Sequence, residues 1–132
     1  MGASDYLEAA LLNHTFRLAT FTAPTNLYVA LFTAAPSDSG GGTEVSGNAY
    51  ARVQVTNDNT TWALTTSTIA NTIAITFAAP SPSAWGTVTH YGIFDASSAG
   101  NLIDHGALTN ARSTAVGVAL SFAIGELTFT LS

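Results

Sequence analysis

Asn26-Leu-Tyr-Val-Ala-Leu-Phe-Thr33 is the stretch from which the fold is read. In an extended chain Leu27, Val29 and Leu31 lie on one side and Tyr28, Ala30 and Phe32 on the other, because strand side chains alternate. Both sides are apolar. Such a strand needs cover on two faces and belongs in the middle of a protein, with a second sheet over one face and a helix or other element over the other.

On its N-terminal side, Ser4 to Leu18 reads as a helix. Ser4 or Asp5 supplies the cap, Asp5 and Glu8 have capping-box spacing, and both place negative charge where the helix dipole favours it. At 100° per residue Leu7, Leu11 and Leu18 fall together, with Leu12, Phe16 and Ala9 beside them and Tyr6, Asn13 and Arg17 opposite. The helix is expected to lie on a sheet or a neighbouring subunit. Thr20 to Thr25, with Pro24, ends it.

On the other side, Ala34 to Gly42 predicts an exposed, mobile loop ending in three glycines. It is no phosphate-binding loop, because the chain contains no lysine to follow the glycines. Tyr50 to Val55 alternates as a half-exposed strand, and Trp62 and Leu64 start a weaker one. Ile69 to Phe77 sets Ile73, Ile75 and Phe77 on one face before Pro80 and Pro82 close it. Trp85 to Phe94, with Val88, His90 and Phe94 on one face and Tyr91 and Ile93 on the other, pairs through the Asp95 to Gly100 turn with Asn101 to Leu108. Val116 to Phe122 and Glu126 to Leu131 complete the pattern. The expectation is one mainly β domain over residues 1–132: an antiparallel β-sandwich, jelly-roll or Greek-key like, of seven or eight strands with one N-terminal helix at about 4–18.

Composition narrows the function. Of 132 residues 47% are hydrophobic and only 8% charged, against about 25% charged in an ordinary soluble domain. Thr, Ser, Asn and Ala must cover the surface, and sparse charge gives weak repulsion between copies, as suits a chain packed into an assembly. Arg17, Arg52 and Arg112 are the only basic residues apart from histidine, and the net charge is −5. Nucleic acid and anionic membrane, which are recognised through clustered Lys and Arg, are therefore not expected partners. Cysteine is absent, which removes disulfides and thiolate chemistry. No apolar run approaches the ~20 residues that span a bilayer, and the first residues lack a signal-peptide pattern, so synthesis and folding in a cytoplasm are expected.

The chemistry-bearing residues do not assemble into a motif. His14 has no second ligand at helical spacing. His90 and His105 sit on paired strands near Asp95 and Asp104, yet alternation sends Asp104 and His105 to opposite faces. No Gly-x-Ser-x-Gly elbow exists. Asp38, Glu44, Asp58 and Glu126 lie in loops without the apolar surroundings that raise a catalytic carboxyl, and Asp38 and Glu44 lack the spacing of a calcium loop. The aromatic residues read as core and contact residues, with Trp62 and Trp85 left as a possible sugar platform. The expectation is no enzyme: no catalytic, cofactor-binding or metal residue, and no cofactor.

Four stretches carry a resemblance: Ser4-Asp-Tyr-Leu-Glu-Ala-Ala-Leu-Leu-Asn-His-Thr-Phe-Arg17, Leu27-Tyr-Val-Ala-Leu-Phe-Thr33, Gly42-Thr-Glu-Val-Ser-Gly-Asn-Ala-Tyr-Ala-Arg52, and Trp85-Gly-Thr-Val-Thr-His-Tyr-Gly-Ile-Phe-Asp95 followed by Gly100-Asn-Leu102. In order and nearly end to end, the chain resembles a family of small tailed-bacteriophage virion structural proteins, often labelled tail fibre proteins. The resemblance implies a virion component made in the host cytoplasm, whose partners are itself, as a homo-oligomer, and other virion proteins of capsid or tail. Short length and the lack of a heptad or repeat favour a capsid decoration, or cement, protein that bridges shell subunits. The alternative, favoured by the family's label, is a tail fibre or tail-tip module contacting the host. A carbohydrate-binding module or hydrolase is the reading from a different class. Self-association is expected through poorly charged β surfaces, with the helix or the Gly40 to Gly42 loop reaching a neighbour.

Overall fold

The computed structural model describes residues 2–131. The elements run β1 (Gly2–Ala3), α1 (Asp5–Arg17), β2 (Asn26–Ala34), β3 (Thr43–Glu44), β4 (Val53–Thr56), β5 (Trp62–Thr65), β6 (Thr68–Asn71), β7 (Ile75–Thr76), β8 (Thr87–Phe94), β9 (Leu102–Ser113), β10 (Ser121–Phe122) and β11 (Thr128–Thr130). All strand pairs are antiparallel. The large sheet has the order β1-β9-β8-β2, and β3 and β4 share the far edge of β2, at Phe32↔Glu44 and Val29↔Val53. Smaller sheets, β10-β7 and β11-β6-β5, form the rest of the sandwich.

The Asn26–Ala34 stretch is the central strand its two apolar faces predict: Val29, Ala30 and Leu31 have no exposed surface. Its Val29 and Leu31 face joins Tyr91 and Ile93 of β8 against Trp62, Ile75, Phe122 and Leu127 of the second layer, in one core cluster. The opposite face carries Phe32, which stacks on Phe94 at 6.3 Å between centroids. Space there is tight: a Cβ on Gly92 would lie 2.9 Å from Phe32 Cε2 and 3.1 Å from Phe94 Cε2. Gly92→Ala is therefore expected to cost about 1–3 kcal/mol through overpacking, measured as a lowered urea midpoint; an unchanged midpoint would show that these rings yield freely.

α1 is capped as its sequence specifies. Ser4 Oγ accepts from Leu7 N at 3.2 Å, and Ser4 N and Oγ both donate to β9, to the carbonyls of Ile103 and Leu102. Leu18 ends the helix in the left-handed region at φ 54. The expected apolar arc is only partly used. The helix packs on β1 and β9, with Leu7 buried and Ala10 and Leu11 half-buried, whereas Leu12, Phe16 and Leu18 are exposed. Apolar residues occupy both sides of this helix, and the sheet covers one.

Three extended segments differ from their alternation. Ile69 to Phe77 is two strands in different sheets, because Asn71 turns inward: Nδ2 donates to Ile73 O and Ala123 O, and Oδ1 accepts from Leu127 N, at 2.7–2.9 Å. Ile73 is consequently exposed. In Val116 to Phe122 the Ala115–Val118 bridge closes a turn through Gly117, leaving Val116 and Val118 outside and only Ser121–Phe122 paired. A register shift between Val88 and His90 puts Val88 in the core beside Tyr91 and Ile93, not on the His90 face. The glycine loop is held by reciprocal bonds between Ser37 and Gly40, N to O at 2.9 and 2.8 Å. Among the described residues no helix is long and apolar enough to cross a membrane.

Candidate functional site

A concavity of about 560 Å³ lies between the start of α1, the Pro36 to Gly42 loop and the Ala99 to Leu102 segment. Phe32, Phe94, Glu44 and Arg52 line its interior, and Asp5, Tyr6 and Asp38 contribute to its wall. Arg52 is the organising residue. Its Nε and Nη2 meet the two Glu44 oxygens at 2.8 Å each, its Nη1 donates to Ala96 O and Ala99 O at 2.8 and 2.9 Å, and the guanidinium lies 3.7 Å above the Phe94 ring. The fork geometry of arginine allows these contacts at once. Glu44 also accepts from Tyr50 OH at 2.8 Å, and that hydroxyl accepts from Leu31 N at 3.0 Å. Burial raises the Tyr50 phenol above its ordinary range and keeps it a neutral donor. The network ties the loop ahead of β4 to the central strand and to the β8–β9 turn. That turn is closed by Asp95, whose carboxylate accepts from Asn101 N and Nδ2 at 2.7 and 2.8 Å.

Other polar residues singled out from sequence are similarly occupied. His105 Nε2 pairs with Asp38 Oδ1 at 2.8 Å, His90 Nδ1 bonds Thr89 Oγ1 at 2.8 Å, and His14 Nδ1 accepts from Phe21 N at 3.3 Å. Asp38 and Glu44 thus meet a histidine and an arginine rather than each other. Asp58 accepts from Thr60 and Thr61, bonds that hold its carboxyl below the ordinary range. Glu126 pairs with Arg112 and accepts from Ala123 N. Among the described residues no three His, Cys, Asp or Glu side chains gather to hold a metal ion. Trp62 and Trp85 are both buried, and Trp85 Nε1 donates to Asn48 O at 2.9 Å, so neither indole offers a platform to a sugar.

Sequence reasoning placed Asp104 on the face opposite His105 and missed its burial. It stands opposite Ile93 in the β8–β9 register, facing the core, while His105 faces away as alternation requires. Its Oδ2 accepts from Tyr91 OH at 3.0 Å, and the same hydroxyl approaches Thr128 O across the sandwich at 3.2 Å. Burial pushes the Asp104 carboxyl up to about 7, against the opposing pull of the Tyr91 hydroxyl and the His105 backbone N–H. With Trp62 it lines a small, largely apolar cavity of about 180 Å³. The available signal was the pairing of a carboxyl and a phenol on the inward positions of one hairpin.

These side chains brace turns and join the layers of an antiparallel sandwich, as in a structural building block that carries a short helical arm. Residues 2–130 match the family model described as podophage GP4 fiber I protein gp80. The chain belongs to this family of phage fibre proteins, in agreement with the resemblance in its sequence. No curated protein matches it.

Proposed function

We propose that the protein is a non-enzymatic part of a fibre or tail tip of a tailed-phage virion, joined to other copies of itself and to other virion proteins. The observation that carries this reading is the fibre-family match over nearly the whole chain. It reverses the order of the two placements weighed from sequence. Capsid decoration, placed first from sequence, becomes the second reading. The arginines support protein rather than nucleic-acid partners: Arg52 and Arg112 are engaged by Glu44 and Glu126, and Arg17 bonds Asn13. No residue of the cleft is assigned a catalytic, cofactor or metal role, and the chain is taken as one domain made in the host cytoplasm.

Image reconstruction of the particle with and without the protein tests the reading. Density lost from the tail or its fibres supports it; density lost from the shell facets replaces it with capsid decoration. Absence from purified particles, together with turnover or tight binding of a host polysaccharide, would promote the carbohydrate-binding or hydrolase reading.

A further inference from the structure

We propose that the outward face of α1 is a self-association surface, on which a second copy of this chain docks through the same face with the two helices antiparallel. This rests on the homo-oligomeric part of the reading above and names the surface that carries it.

Leu7, Ala10 and Leu11 define the inward side of α1. Ala9, Leu12 and Phe16, expected from sequence beside Leu7 and Leu11, instead lie about 140–200° round the helix from Leu7 and are exposed, so the molecule's own sheet does not cover them. They are spaced three and four apart, the spacing with which one helix seats on another. Leu12 is 59% exposed and Phe16 79%. An aromatic side chain buries about 150–250 Å² when covered, so Phe16 with Leu12 presents apolar surface on the order of 250 Å² per copy. Two stripes together contribute about 500 Å², somewhat under half of the roughly 1,200 Å² lower bound for a specific interface, and the flanking Glu8, Asn13 and Thr15 supply the remainder.

Charge selects both the occupant and its direction. The first turn of α1 carries Asp5 and Glu8, and the last carries Arg17. Arg17 is exposed and bonds Asn13 within the helix. An antiparallel copy brings each acidic end beside the partner's basic end and sets the helix dipoles head to tail. A parallel copy would set Asp5 against Asp5 and Glu8 against Glu8. The stripe is thus complementary to itself in one orientation.

The test uses the full chain. Sedimentation equilibrium should show wild-type dimers, and Phe16→Glu or Leu12→Glu should weaken association at least tenfold while leaving thermal unfolding of the monomer unchanged, since both side chains are exposed. Because the chain has no cysteine, single substitutions report geometry. Leu12→Cys, near the middle of the helix, should form disulfide-linked dimers on oxidation, whereas Asp5→Cys should not, because antiparallel pairing separates those ends by roughly 20 Å. A strictly monomeric wild type would overturn this proposal and self-association together. A wild-type oligomer indifferent to Phe16→Glu would overturn this proposal alone, and equal linking through Asp5→Cys would overturn the antiparallel arrangement.

Discussion

Arg52→Ala is expected to lower the stability of the folded chain by about 2–4 kcal/mol, a large share of the roughly 5–15 kcal/mol that separates folded from unfolded domains. The side chain is 6% exposed and its partner Glu44 27%. Removing the guanidinium leaves that carboxylate half-enclosed without its bidentate partner, strips the carbonyls of Ala96 and Ala99 of a donor, and uncovers the Phe94 ring. A fully buried pair loses about 3–5 kcal/mol when broken this way, and the water reaching Glu44 discounts the figure. Arg52→Lys should recover only part of the loss, because an ammonium group cannot grip both carboxylate oxygens and reach two carbonyls together. Urea unfolding of the three proteins measures this. A loss below about 0.5 kcal/mol in Arg52→Ala, the range of an ordinary surface change, would refute the bracing role.

The second large effect is a dependence of stability on pH that runs opposite to ordinary acid denaturation. The Asp104 carboxyl has its ordinary value near 3.8 and is pushed up to about 7 in the folded chain, chiefly by burial. Between those values the folded protein holds a proton that the unfolded chain has released, so stability falls as pH rises from about 4 to about 7 and levels off above. At about 1.4 kcal/mol per pH unit, this one group should make the protein about 2–3 kcal/mol more stable at pH 5 than at pH 8. Asp104→Asn, which keeps the shape and removes the titration, should flatten that part of the profile. Tyr91→Phe removes the hydroxyl that favours the charged form, so the midpoint should move upward and stability at pH 8 should drop further. Chemical denaturation at stepped pH decides the matter: a wild-type profile parallel to that of Asp104→Asn would show that Asp104 does not carry the effect.

The two-faced strand Asn26–Ala34, the capped helix and the β8–β9 hairpin were legible because each depends on neighbours in sequence. Alternation, caps and turn residues act within a few positions. The readings that changed depend on distant partners. Asn71 reads as a polar residue in a strand until Ala123 and Leu127 approach it, whereupon its amide interrupts the strand. Val88 reads as a companion of His90 until a bulge against β9 resets the alternation. Glu44 and Arg52 read as loop and strand charges, and their pairing requires the β8–β9 turn to come within reach of the same guanidinium.

By itself the order of amino acids determined the fold class, the charge-poor surface and the resemblance to phage structural proteins, since composition and short-range periodicity need no partner. Tertiary structure alone decided which apolar side of α1 stays outside, which carboxyl is buried beside a phenol, and where the strands break. The physical reason is that burial is a property of what else arrives at a place, and a residue's own neighbours in sequence do not specify it.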